Sequence, residues 1–157
     1  MSKIHRYKAN IVWPGNTGKG TSGYKDYERS HLVKIEDKVA IACSSDPVFR
    51  GNPQLHNPEE LLVSAVASCH MLWYLHLCAV AGIVVTNYED AATGAMVESE
   101  DGAGYFSEIV LHPTVVVAEE SMAEKAYSLH EEAAKYCFIA KSLKCPVLHQ
   151  PEIKIAD

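Results

Sequence analysis

Asn57-Pro58-Glu59-Glu60-Leu61-Leu62 opens a stretch that reads NPEELLVSAVASCHMLWYLHLCAVAG from residue 57 to residue 82. Asn57 suits an N-cap, because its side-chain oxygen can accept from the free amides of a first turn. Pro58 fits the first helical position, and Glu59 and Glu60 lie where the helix dipole favours negative charge. From Leu61 to Ala81 there is no Lys, Arg, Asp or Glu, and Gly82 supplies a stop. The sequence predicts a helix over about 58–82, roughly 36 Å long at 1.5 Å per residue. That length invites a transmembrane reading. Ser64, Ser68, His70 and His76 inside the run, the lack of flanking Lys or Arg anchors, and strand-forming sequence beyond it speak against one. A central helix covered on all sides, in part by a second subunit, accounts better for a run with no polar face.

Outward from this helix, the pattern changes to short strands. Lys8–Trp13 alternates and stops at the turn formers Pro14–Gly20, which read as a mobile loop. His31–Ile35 and Lys38–Cys43 complete an antiparallel strand meander within residues 1–50, and Ser44–His56, with two prolines and a glycine, reads as a surface connection. Downstream, Ile83–Thr86, Ala95–Ser99 and Tyr105–Ala118 are rich in Val, Ile and Tyr, with a turn at Glu100–Gly104, and predict a long hairpin over 83–119. From Ser121, apolar residues recur at Ala123, Ala126, Tyr127, Leu129, Ala133 and Ala134, and the next turn brings Cys137. A second helix is expected over about 121–144, ended by Pro146, with Glu152–Ile155 as a closing strand. The order of elements predicts an α+β fold, and 157 residues fit one domain.

Composition narrows the function classes. A net charge of −6, with 20 acidic against 14 basic residues, leaves no basic stripe for phosphates, so nucleic acid is not an expected partner. The polar start Met1–Arg6 carries no secretory apolar region, which favours the cytoplasm. Five cysteines (Cys43, Cys69, Cys78, Cys137 and Cys145) form an odd set without Cys-x-x-Cys pairs, against a disulfide framework. The eight histidines are scattered, and His70 and His76, six apart on one helix, face different ways. No metal site and no cofactor is expected, and these two histidines are expected to find core or interface partners.

Cysteine chemistry remains. A buried thiol is by default a small inert hydrophobe, the reading given to Cys43 and Cys78. A peroxidatic thiol needs to be held as thiolate beside a cation, with a second thiol close enough to condense with the sulfenic acid it forms. Arginine suits the cation role, because it stays charged and its fork can hold a thiolate and a carboxylate together.

The segment Asn57–Leu62 through Ala67-Ser68-Cys69-His70 resembles the central-helix signature of the OsmC/Ohr family, the osmotically inducible and organic hydroperoxide resistance proteins. Cys137 with Ala140, Ser142 and Leu143 resembles the family's second cysteine segment, and the likeness of element order covers nearly the whole chain. The resemblance implies an intertwined α+β homodimer, with antiparallel sheets around two long central helices and active sites shared between subunits. It implies thiol-dependent reduction of organic hydroperoxides, a disulfide between the two motif cysteines, and recovery through an external dithiol reductant such as a lipoylated protein.

Carried over by residue, Cys69 is the peroxidatic thiol, Cys137 the resolving thiol and Glu59 the carboxylate of an arginine–glutamate pair. Arg50, shortly before the long helix, is preferred as the arginine, with Arg29 the alternative. The family's proline after its second cysteine is replaced by Phe138, and Cys145-Pro146-Val147 carries the familiar triplet instead. Cys137 is preferred over Cys145 on the Ala-x-Ser-Leu pattern that follows it. An apolar pocket lined by Leu61, Val66, Trp73, Tyr74 or their subunit-related copies would admit the substrate. The competing reading is a non-catalytic module of the same fold that binds a small apolar ligand. Glu59 and Cys69, ten residues apart on one helix, lie about 15 Å apart along its axis, so they cannot meet within one chain.

Overall fold

The structure is a computed structural model that describes residues 3–157. The chain forms two compact units that divide at Leu61/Leu62. In the first, strands β1 (Asn10–Val12), β2 (His31–Lys34) and β3 (Ile41–Cys43) make an antiparallel meander, as the alternation predicts. The connection after β3 is ordered by a short 3-10 helix at Pro47–Phe49, which Asp46 caps by accepting from the Val48 amide. Asn57 then opens helix α1 (Pro58–Val80) with a reciprocal box. Its Oδ1 accepts from the Glu60 amide at 2.8 Å, while Glu60 Oε2 accepts from the Asn57 amide at 3.2 Å.

Helix α1 ends two residues short of the expected limit, because the stop takes room. The Ile83 amide reaches back to the Cys78 carbonyl at 2.9 Å while Gly82 takes φ 73°, a left-handed C-terminal cap that favours glycine.

The second unit holds two three-stranded sheets. One has the order β4 (Val85–Asp90), β7 (Pro113–Val117), β9 (Glu152–Ile155); the other β5 (Thr93–Glu98), β6 (Gly104–Leu111), β8 (Val147–His149). The expected single hairpin is therefore corrected. β5 and β6 pair as a hairpin, but residues 105–118 break at His112, whose amide is taken by Asp90 Oδ1 at 2.8 Å, and β7 crosses to the other sheet. The expectation of purely antiparallel sheets is corrected too. β8 runs parallel to β6 and β9 parallel to β7, because both follow the helical crossover, which returns the chain in the same direction.

The second helix is shorter than expected and broken. α2 spans Ala123–Tyr136, Cys137 leaves the helix at φ −66°, ψ 103°, and α3 covers Phe138–Lys141. Along α1 the residues Val66, His70, Tyr74 and Cys78, four apart, form one buried stripe. Its N-terminal end packs at Val66 with Ile109 and Leu111, its C-terminal end at Tyr74 and Cys78 with Val115, Val117, Ala126, Leu129 and Ala133. Each fully buried Val, Leu or Ile among them contributes about 1.5–3 kcal/mol over leaving it in water. The other flank of α1 is open, with Leu72 63 % and Val80 74 % exposed. By length and composition alone α1 could cross a membrane; its buried stripe makes it the core helix of this unit.

Candidate active site

Cys69 and Cys137 are distant in sequence and adjacent in the fold. Cys69 projects from the middle of α1, half-buried, and its thiol is close enough to the Cys137 thiol to raise the latter's pKa. Cys137 stands at the break between α2 and α3, so it caps both. Its own amide closes α2 on the Ala133 carbonyl at 3.1 Å, and its Sγ accepts from the Ala140 amide at 3.4 Å. The expectation of Cys137 inside a continuous helix is thus corrected. The extended backbone at this residue replaces a helical turn, and the sulfur takes the place of a capping oxygen. The Ala-x-Ser-Leu sequence after it supplies the Ala140 amide that donates to the sulfur.

The two thiols are not equivalent. Cys137 is 1 % exposed, and burial pushes its thiol up to about 11, helped by the neighbouring Cys69 thiol and opposed by the Ala140 and Ile139 amides. At neutral pH it is a protonated thiol. Cys69 is the more accessible of the pair. Cys145, the alternative second thiol, packs against the Val66, Ile109 and Leu111 cluster. Cys43 and Cys78 are buried, and burial raises both. All five cysteines are free.

An aromatic wall borders the thiol pair. Trp73, one turn after Cys69, stacks on Tyr136 with ring centroids 5.1 Å apart and meets Phe138 edge-on at 5.7 Å, so the residues on either side of Cys137 hold one ring of α1. An open cleft of about 270 Å³ lies alongside, lined by Leu72, Trp73 and His76. The expected pocket lining is corrected here. Val66 and Tyr74 are 0 % exposed and belong to the core stripe, because they sit on the face of α1 turned to the sheets and α2.

Arg50 and Glu59 belong to the first unit. Glu59 is half-buried, and its Oε2 is shielded from solvent without a hydrogen-bond partner. Arg50 is exposed at φ 65°, forms no ion pair with Glu59, and its amide closes the 3-10 helix on the Pro47 carbonyl at 3.0 Å. Arg29 is committed elsewhere. Its guanidinium donates to the Tyr27 and Tyr24 carbonyls, each at 2.6 Å, and lies over both rings, 4.1 Å from that of Tyr27 and 4.5 Å from that of Tyr24.

His70, read as a residue seeking a core partner, finds two. Its Nε2 lies 3.0 Å from His130 Nδ1, and its ring stacks on that of His149 at 5.8 Å. Tyr74 covers His130 at 3.8 Å. The sequence reading passed over His130 although it falls on the apolar face of α2 between Leu129 and Ala133, and that placement was the available signal. Among the described residues, no group of three or more His, Cys, Asp or Glu side chains is arranged to hold a metal ion.

Burial lowers His70 to about 4 and His130 to about 3, with neighbouring histidines adding to the effect, so both rings are neutral in the folded protein at pH 7. An unfolded histidine titrates near 6.5. Below that pH the unfolded chain binds protons that the folded chain refuses, so stability is complete above 6.5 and falls as the pH drops toward 4. The expected loss is about 2 kcal/mol per buried histidine by pH 5. Urea midpoints at pH 7.5 and 5 should show it, and the His70→Leu/His130→Leu double variant should lose most of the difference. Equal pH dependence in that variant and the wild type would remove the histidines as its cause.

The sequence profile of the OsmC-like protein family matches residues 51–152. The chain belongs to this family. An OsmC-like protein of unknown function from Vibrio cholerae shares 27 % identity and superposes with a TM-score of 0.84, over 94 % of this chain and 99 % of its own. The uncharacterised protein YmaD from Bacillus subtilis is 25 % identical over 99 % of this chain and 97 % of its own length. An organic hydroperoxide resistance protein from Elizabethkingia anophelis, at 16 % identity and a TM-score of 0.71 over 99 % of this chain and 100 % of its own, shares the fold.

Proposed function

We propose that this OsmC-like protein is a cysteine-based peroxidase that reduces organic hydroperoxides. The observation that carries the reading is the adjacency of an accessible Cys69 and a buried, protonated Cys137. In the first step the Cys69 thiolate attacks the terminal oxygen of the hydroperoxide, the O–O bond breaks, and the alkoxide takes a proton to leave as the alcohol. Cys69 is then a sulfenic acid. The Cys137 thiol condenses with it, expels water and forms a disulfide. An external dithiol, such as a lipoylated protein, reduces that disulfide by exchange and completes the cycle without a bound cofactor.

Arg50 and Glu59 are the proposed pair that holds Cys69 as thiolate. The engagement of Arg29 by two carbonyls and two tyrosine rings supports the choice of Arg50. The open flank of α1 supports a homodimer in which a second central helix covers it, since exposed Leu72 and Val80 would otherwise face water. The cleft beside Trp73 supports an apolar substrate over hydrogen peroxide. Five free cysteines accord with a cytoplasmic setting, where thiols stay reduced.

Steady-state turnover of an organic hydroperoxide with several dithiols tests the reading. Consumption should depend on the dithiol and proceed faster with the organic substrate than with hydrogen peroxide. Absence of dithiol-dependent consumption under all of them would refute it.

A further inference from the structure

His70 and His130 are the two histidines buried in the core of the second unit, and their contact lies beside both thiols. His70 directly follows Cys69 on α1, while His130 precedes Cys137 by seven residues, close to two turns of α2 and therefore on the same side of that helix. The rings are 2 % and 0 % exposed, their nitrogens 3.0 Å apart, with Tyr74 against one and His149 against the other. Apolar contacts alone constrain sliding and rotation of one helix on another only through shape. A buried N–H···N bond between neutral rings is directional, and any shift that breaks it adds two unpaired nitrogens to His130 Nε2, which is already buried without a partner.

We propose that the His70–His130 hydrogen bond is a positioning clamp that fixes α2 on α1 in the register that holds Cys137 against Cys69. His70 and His130 are positioning residues. They act through the two helices, by raising the effective concentration of one thiol at the other. The Cys137 sulfur, 4.0 Å from the Val66 carbonyl one turn before His70, sits in the part of the interface that the clamp registers. The inference rests on the reading of Cys69 and Cys137 as a redox pair. It does not require that a hydroperoxide be the oxidant.

The test uses the full-length protein equilibrated with reduced and oxidised glutathione at pH 7.5, where two protein thiols and one oxidised glutathione give one protein disulfide and two reduced glutathiones. Peptide mapping quantifies the Cys69–Cys137 disulfide. The His70→Leu/His130→Leu variant removes the bond without leaving an orphaned partner, and circular dichroism establishes that it is folded. Its effective thiol concentration should fall about tenfold, the equivalent of about 1.4 kcal/mol and the upper end of one net hydrogen bond. His130→Gln, whose amide can still meet His70, should recover most of the loss. A folded double variant with wild-type effective concentration, or no recovery in His130→Gln, would overturn the clamp. A wild-type protein that forms no Cys69–Cys137 disulfide in this buffer would overturn the pair and the clamp together. Failure of hydroperoxide turnover alone would sink the peroxidase and leave this result standing.

Discussion

Cys69→Ser is expected to abolish hydroperoxide consumption down to the uncatalysed rate, while substitution of any other cysteine leaves the first oxidation intact. The structure gives the reason for this asymmetry. Cys43, Cys78 and Cys137 are buried, with their thiols pushed up by loss of water, and a protonated thiol is a poor nucleophile. Cys145 packs in an apolar cluster. Cys69 alone combines partial access with a facing thiol able to trap its oxidised form. In stopped-flow oxidation, Cys137→Ser should therefore react once and halt at a sulfenic or overoxidised Cys69, because the step that expels water has lost its thiol. Peptide mapping of oxidised wild-type protein should find Cys69 joined to Cys137. Rapid oxidation persisting in Cys69→Ser would overturn the assignment, and a Cys69–Cys145 disulfide would overturn the choice of second thiol.

How much of this was legible depended on the range of the signal. The start of α1 was legible in Asn57 as N-cap and Pro58 as first helical residue, since both act within one turn, while the return bond from the Asn57 amide to Glu60 was seen only in the structure. The N-terminal meander was readable for the same reason, as alternation and turn formers are local. The break at Cys137 was not. The apolar period of α2 continues through that position, and only the sulfur's competition for the Ala140 amide shows why the backbone leaves the helix there.

The transfer of β7 to a different sheet from β6 was hidden as well, because Val-rich sequence runs on both sides of His112 and the bond its amide donates to Asp90, which marks the break, is long-range. Of the site, Cys69 and Cys137 were singled out by the resemblance of their two segments to the family's motifs. The aromatic wall was half legible, with Trp73 named as pocket lining and Phe138 noted only as a departure from the family's proline, while Tyr136 went unremarked. The partnership of His70 with His130 could not be read, as it joins two helices by one nitrogen pair whose sequence separation carries no pattern.

Mixing inactive Glu59→Gln chains with inactive Cys69→Ser chains under subunit exchange should restore activity to about a quarter of the wild-type level, if two-fold dimers reassort at random. Glu59 and Cys69 lie on the unbroken helix Pro58–Val80, ten residues and hence about 15 Å of axial rise apart, and a glutamate side chain spans far less. If both serve one thiolate, Glu59 must come from a second subunit whose central helix runs antiparallel beside the first. A two-fold axis then generates two equivalent sites. A helix with no polar face needs cover beyond its buried stripe, and the exposed Leu72 and Val80 lie on the flank that a second α1 would meet. In a mixed dimer one site receives the intact Glu59 and the intact Cys69, while the other carries both substitutions. Half of the reassorted dimers are mixed and half of their sites are whole, which gives the expected quarter. Were each site built within a single chain, every site in the mixture would carry one lesion and nothing would return. Heterodimers demonstrated by native mass spectrometry without any recovered turnover would rule out the shared site.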